Sequence, residues 1–180
     1  MTSFKEIFND VYCIELDYHK DNRGYFSEIY KDEYFLKSKK VINFIQDNIS
    51  FSKNKNTIRG LHFQDSPYEQ SKYVTVLKGG IWDVFIDLRK DSKTYMDYGY
   101  IELYEGKSSL LIPKGFAHGF CTLEPDTLVL YKVDNQYSKD HENGIRWNDK
   151  ALKIPWPKMK EKVTISDKDR NLSVLKNYNE

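Results

Sequence analysis

The chain has 180 residues, 28 of them Lys or Arg and 27 Asp or Glu, for a formal net charge of +1. That length suits one domain with its own core, and the balance of charge excludes a global field that would draw in nucleic acid or an anionic membrane. An N-terminal apolar segment and a run of membrane-spanning length are both absent, and Cys13 and Cys121 fit no zinc or redox spacing, so a reduced, cytoplasmic protein is expected, without export or membrane insertion.

In chain order, "VYCIEL" (11–16) alternates as a half-buried strand does. "DNRG" is a turn signal ahead of a strand over "YFSEIY" (25–30), which would place Phe26 and Glu28 on one face. "YKDEYFLKSKK" (30–40) is the one early stretch with helical character. A strand over "VINFIQDNIS" (41–50) follows, with Gln46 and Asn48 on one face, and then "IRGLHFQ" (58–64). "SKYVTVLKG" (71–79) and "GIWDVFIDLR" (80–89) meet at Gly79-Gly80, a pair suited to a hairpin turn. "YGYIELYEG" (98–106), "SSLLIPKG" (108–115), "HGFCTLE" (118–124) and "TLVLYKVDNQY" (127–137) complete the strands. From residue 140 the composition changes: "WNDKALKIPWP" and the charged "ISDKDRNL" read as a C-terminal cap with short helical turns on a single domain over 1–180. Many short strands at this spacing predict an all-β, double-sheet jelly roll, whose open mouth is a concave site lined by inward-facing side chains. Aromatic content is high at 15%; filling the sheets takes the larger share of it, and ligand stacking the rest.

The most informative stretch is "IRGLHFQ". Alternation sets Leu61 and Phe63 on one face and Gly60, His62 and Gln64 on the other. His62 has three readings: a satisfied core histidine, a metal ligand, or a base. Arg59, Gln64 and Lys72 are unusual company for a core histidine. Metal-binding cupins, which share the jelly-roll architecture, carry a His-x-His with a later glutamate, then a proline-glycine turn ahead of another histidine. "PKGFAH", ending at His118, matches the second motif, but Gln64 stands where the first needs its second histidine, and two imidazoles are too few for such a site. A base needs an orienting carboxylate and a group to hold the charge it produces.

Taken together, "DNRGYFSE", "FIQDNISFSKNKNTIRGLHFQ", "QSKYV", "GGIWDVFIDLRKDS", "LLIPKGFAHGF", "LYKVDNQYS", "NGIRWNDKALKIPWP" and "SDKD" resemble the dTDP-4-dehydrorhamnose 3,5-epimerase family, in order from about residue 21 to 169. The resemblance implies epimerisation of a nucleoside-diphosphate 4-keto-6-deoxy sugar, namely dTDP-4-dehydro-6-deoxyglucose, with no cofactor and no metal. The C4 ketone acidifies the hydrogens on C3 and C5. By motif, His62 would be the base, Asp169 of "SDKD" its carboxylate partner, Tyr131 of "LYKV" the acid on the opposite face, and Lys72 of "QSKYV" the charge beside the C4 oxygen. Arg23 and Arg59 would clamp the pyrophosphate. Gln46, Asn48, Phe26 and Glu28 would reach the nucleoside end, and His118, Tyr137, Glu142 and Lys168 would complete the pocket. The family also implies a homodimer in which N-terminal strands are exchanged and each pocket borrows residues from the second subunit.

Two departures stand out. "SKTYMDYG" after the "DLR" strand lacks the family's proline and displaces its glycine, in a loop away from the proposed chemistry. "QSKYV" has tyrosine where leucine is commoner, which is expected to alter stacking near Lys72. The alternatives weighed are a 3-epimerase, a 3,5-epimerase for another nucleotide sugar, a non-catalytic sugar-binding cupin, and a metal-dependent cupin oxygenase.

Overall fold

The computed structural model of the chain describes residues 3–36, 42–158 and 162–175. Two antiparallel sheets face each other. The first has the strand order β1 (Phe4–Phe8), β2 (Val11–Glu15), β10 (Ser108–Ile112), β7 (Lys72–Lys78), β12 (Thr127–Val133), β5 (Gln46–Ser52). The second runs β13 (Glu142–Gly144), β6 (Ile58–Gln64), β11 (Phe116–Thr122), β8 (Gly80–Asp87), β9 (Tyr98–Tyr104). A small hairpin of β3 (His19–Asp21) and β4 (Gly24–Phe26) stands outside both. Two short α-helices, α1 (Glu33–Leu36) and α2 (Asp167–Arg170), and a 3-10 turn at Lys139–His141 complete the described elements. This is the double-sheet jelly roll that the strand spacing predicts.

Alternation along the strands builds three apolar layers. Val74, Val76, Ile81, Phe85, Leu103, Leu110 and Val129 point between the sheets and form the central core. Leu61, Val84, Ile86 and Ala117 lie on the outer face of the second sheet, where Ile145, Leu152 and Leu175 of the C-terminal segment cover them. Trp156 Nε1 donates to the Trp147 carbonyl at 2.7 Å, which ties that cover to itself. On the outer face of the first sheet Ile14, Tyr73 and Leu111 pack under Phe35, with Tyr30, Ile42 and Phe44 around them. Much of the aromatic surplus is used here.

Tyr73 itself corrects an expectation. It is 1% exposed, on the strand face opposite Lys72, and its hydroxyl donates to the Ile29 carbonyl at 2.8 Å. The tyrosine that replaces the family's leucine therefore serves the outer layer and leaves the stacking near Lys72 untouched.

The glycine pair at 79–80 does not make a hairpin. β7 pairs with β10 and β12, whereas β8 pairs with β11 and β9, so the chain crosses from one sheet to the other. Both strands are apolar on two faces and each needs two neighbours. Gly79 takes φ +81°, and a Cβ there would fall 2.6 Å from Thr127 Oγ1.

Other boundaries also shift. The strand expected over 25–30 ends at Phe26, so Glu28 does not share a strand face with it; Ile29 and Tyr30 join the outer aromatic layer instead. The strand expected over 41–50 begins at Gln46, and residue 41 lies outside the described residues. The helix expected over 30–40 is α1 alone among the described residues, and 37–40 lie outside them. β1, β3 and β13 were not anticipated. The departing loop after "DLR" is held by Asp87, which takes Arg89 Nε at 2.8 Å, Arg89 Nη2 at 2.7 Å and the Thr94 hydroxyl at 2.7 Å. Arg89 reaches on to Asp10 at 2.7 Å and locks the β1–β2 turn to this loop.

Candidate active site

A cavity of about 310 Å³ opens between the two sheets. β5, β7 and β12 contribute Ser50, Lys72, Val74, Val129 and Tyr131 to one wall. β6 and β11 contribute Arg59, His62, Gln64, His118 and Phe120 to the other; Gln70 and Tyr137 come from loops, Glu142 from β13, and Ser166 and Asp169 from the N-terminal end of α2 to complete the rim. Strand periodicity places the groups of the first wall: Lys72 and Val74 on β7, and Val129 and Tyr131 on β12, are alternate residues that face inward.

His62 and Asp169 meet although 107 positions separate them: Nε2 donates to Oδ1 at 2.8 Å. The carboxylate is anchored from three sides. Its Oδ2 accepts the Gly60 N–H at 3.0 Å, and the Asp169 N–H is tied to Ser166 Oγ at 3.0 Å, the N-cap bond of α2. Gly60 has φ +102°, and a Cβ there would lie 2.6 Å from the His118 carbonyl, so only glycine allows this approach. Burial raises the pKa of Asp169, but the hydrogen bond and charge of His62, with the Gly60 and Ser166 bonds, outweigh it and hold the group below the usual carboxylate range. With the Nε2 proton committed to the carboxylate, the lone pair of His62 sits on Nδ1.

Lys72 faces the same cavity and donates to the His62 carbonyl at 3.2 Å. Its side chain keeps some solvent contact through the cavity, but protein encloses the ammonium. Burial lowers its pKa to about 8, against the opposing charges of Asp83 and Glu142. Beneath it lies a second couple, His118 Nε2 to Asp83 Oδ2 at 2.8 Å, with Asp83 wholly buried. Burial moves Asp83 up and His118 down, each toward its uncharged form. Tyr131 is half-buried among Val129 and other core residues, and burial raises the pKa of its phenol.

At the rim, Arg59 is aimed by β5, donating to the Phe51 carbonyl at 2.7 Å and Ser52 Oγ at 3.1 Å. Tyr137 donates to Glu142 Oε2 at 2.7 Å, and Glu142 Oε1 pairs with Lys168 at 2.6 Å. Gln46 and Asn48, bonded to each other at 2.7 Å, continue the strand face from which Ser50 lines the cavity. Arg23, Phe26 and Glu28 do not line the cavity of their own chain. Arg23 is paired with Asp21 at 2.6 Å, and Phe26 is 65% exposed on its hairpin.

Ser50, Gln70, Phe63 and Ser166 line the cavity without having been singled out. Ser166 was legible, since Ser-Asp-Lys-Asp places a capping hydroxyl three residues before the carboxylate it orients. Among the described residues, Ser50 Oγ and Asp83 Oδ1 are buried without a hydrogen-bond partner. Also among the described residues, no group of three or more His, Cys, Asp or Glu side chains is gathered for a metal ion, and no helix is long and apolar enough to cross a membrane.

A jelly roll that gathers a histidine–carboxylate couple, a phenol and a lysine around one cavity defines a cupin-type isomerase. The chain belongs to the dTDP-4-dehydrorhamnose 3,5-epimerase family, whose model matches residues 5–177. It is 45% identical over 150 residues to the Sinorhizobium fredii dTDP-4-dehydrorhamnose 3,5-epimerase, covering 83% of this chain and 76% of that protein. The Bacillus anthracis dTDP-4-dehydrorhamnose 3,5-epimerase, solved with TDP and PPi bound, is 46% identical with a TM-score of 0.89, over 96% of this chain and 100% of that one. The Legionella pneumophila dTDP-6-deoxy-D-glucose-3,5-epimerase, solved with dTDP-4-keto-L-rhamnose, is 34% identical with a TM-score of 0.90, over 98% and 94%.

Proposed function

We propose that this protein epimerises dTDP-4-dehydro-6-deoxyglucose at C3 and C5. The observation that carries this reading is the His62–Asp169 couple at 2.8 Å, in one cavity with Lys72 and Tyr131. The ketone at C4 lets a carbanion at C3 or C5 delocalise onto oxygen. His62 Nδ1 takes the hydrogen, and Asp169 stabilises the imidazolium that results. The Lys72 ammonium offsets the charge growing on the C4 oxygen. Tyr131 delivers a proton to the opposite face and inverts the carbon. Arg59 meets the diphosphate with its guanidinium fork. The site residues and their roles belong to this reading, as does a cytoplasmic location, which the two free cysteines suit.

The direct test is incubation with the dTDP-linked 4-keto sugar in deuterium oxide. Label should enter at both C3 and C5. Label at C3 alone would reduce the reaction to a 3-epimerisation, and no label at either carbon would overturn the assignment.

The reading includes a homodimer with exchanged N-terminal strands. Arg23 and Phe26 sit on an exposed hairpin away from their own cavity, and Ile49 and Phe51 on the edge strand β5 are 66% and 54% exposed. Exposed apolar side chains along an unpaired strand edge suit a partner. Mixing two inactive variants, Arg23→Ala and His62→Ala, after mild dissociation should restore activity through hybrid dimers that keep one complete site. A mixture as inactive as its components would refute shared sites.

A further inference from the structure

Gln64 occupies the place where a metal-binding cupin carries a ligand, and the structure gives it other work. The residue is 7% exposed and its amide is fully engaged by the backbone of two loops. Nε2 donates to the Tyr68 carbonyl at 2.6 Å and the Gln136 carbonyl at 3.0 Å, and Oε1 accepts the Ser138 N–H at 2.6 Å. Tyr137 lies between two of these three anchors. Its phenol reaches Glu142 at 2.7 Å, and Glu142 is the residue opposite Gln64 in the β13–β6 pairing. The same carboxylate holds Lys168, next to Asp169, which holds His62 two residues before Gln64. The contacts form a closed ring around the cavity rim.

We infer that Gln64 is a positioning residue: its amide fixes the backbone on both sides of Tyr137, and so sets the phenol as a wall of the substrate cavity beside His62. Only a side chain with two N–H donors and one acceptor satisfies two carbonyls and one N–H together. Neighbouring amides brace the same two loops: Gln70 Nε2 donates to the Asn135 carbonyl at 2.9 Å, and Asn135 Nδ2 to the Pro67 carbonyl at 2.9 Å. Gln64→Glu would put an acceptor oxygen where Nε2 meets both carbonyls, and Gln64→Met would keep the volume and lose every bond.

The inference rests on the epimerase reading, and the experiment separates the two. Deuterium wash-in from the dTDP-linked 4-keto sugar is measured for the unaltered protein, Gln64→Glu, Gln64→Met, Tyr137→Ala and the double variant Gln64→Met with Tyr137→Ala. If the unaltered protein gives no exchange, the epimerase reading falls. If it does, each Gln64 variant is expected to raise KM by about tenfold, the effect of removing one hydrogen bond between the cavity wall and the sugar nucleotide. Saturated exchange should stay within about threefold, because the His62–Asp169 couple is intact. In the Tyr137→Ala background the Gln64→Met step should add little, since the two act as one unit. Additive effects on KM, a fall in kcat without a change in KM, or unfolding of both Gln64 variants would each overturn the positioning role; the last would make Gln64 a folding residue alone.

Discussion

Replacing His62 with alanine is expected to lower solvent exchange at C3 and C5 by about 10² to 10⁴, the range of a general base without a substitute. Among the described residues the neighbourhood offers no stand-in. His118 is buried and bonded to Asp83, and its pKa is pulled down by burial, with the positive charge of Lys72 adding to the effect. Tyr131 has its phenol pKa raised by burial, so it stays protonated near neutral pH and has no vacant site for the hydrogen. Asp169 is charged at neutral pH but lies behind the imidazole, bound to it and to Gly60. Asp169→Asn should weaken exchange in the same direction, since an amide can still hold the ring but cannot offset an imidazolium. Binding of dTDP should survive both changes. A His62→Ala protein that exchanges at more than about a tenth of the normal rate would show that the base is another group.

The strands that carry the site were readable because they obey period-two alternation: Lys72, Val74 and Val76 on β7, and Val129, Tyr131 and Val133 on β12. β1 escaped because "FKEIF" carries two charges on an edge, and β13 because Glu142–Gly144 is a strand only through its pairing with β6. The turn at Gly79 was also readable, but the sheet that β8 enters was not. That choice depends on strands far along the chain, and local sequence carries no record of them.

The same divide runs through the site. His62 and its inward direction follow from "IRGLHFQ", yet nothing local links it to Asp169, one of several charges in "SDKD" that only the family motifs join to the histidine. Asp83 beneath Lys72 was missed because a lone aspartate amid "GIWDVFID" reveals its histidine partner only once β8 and β11 are paired. Gln64 was legible as a missing metal ligand, whereas its three bonds go to backbone atoms that any sequence would supply.

Lys72 is expected to trade stability for catalysis, so Lys72→Met should move the two in opposite directions. Burial lowers its pKa to about 8 from 10.5 in the unfolded chain. A depressed lysine pKa means that folding disfavours the charged form. The penalty is complete below about pH 8, on the order of 3 kcal/mol, and fades as pH rises toward about 10.5, where the unfolded chain also loses its proton. Methionine removes the penalty. Asp83 and Glu142 lose a nearby positive charge in return, so the gain is smaller, about 1 kcal/mol, or a Tm rise of about 2–4 °C. Turnover should fall by about 10² to 10³, the usual loss when a group facing a developing oxyanion is removed. The charged form is also the useful one. In the unaltered protein kcat/KM should therefore decline as pH climbs past about 8, and the variant should lack that decline. Turnover within about tenfold of normal in Lys72→Met would remove the ammonium from the reaction, because among the described residues no other cation on that wall faces the C4 oxygen in the proposed pose.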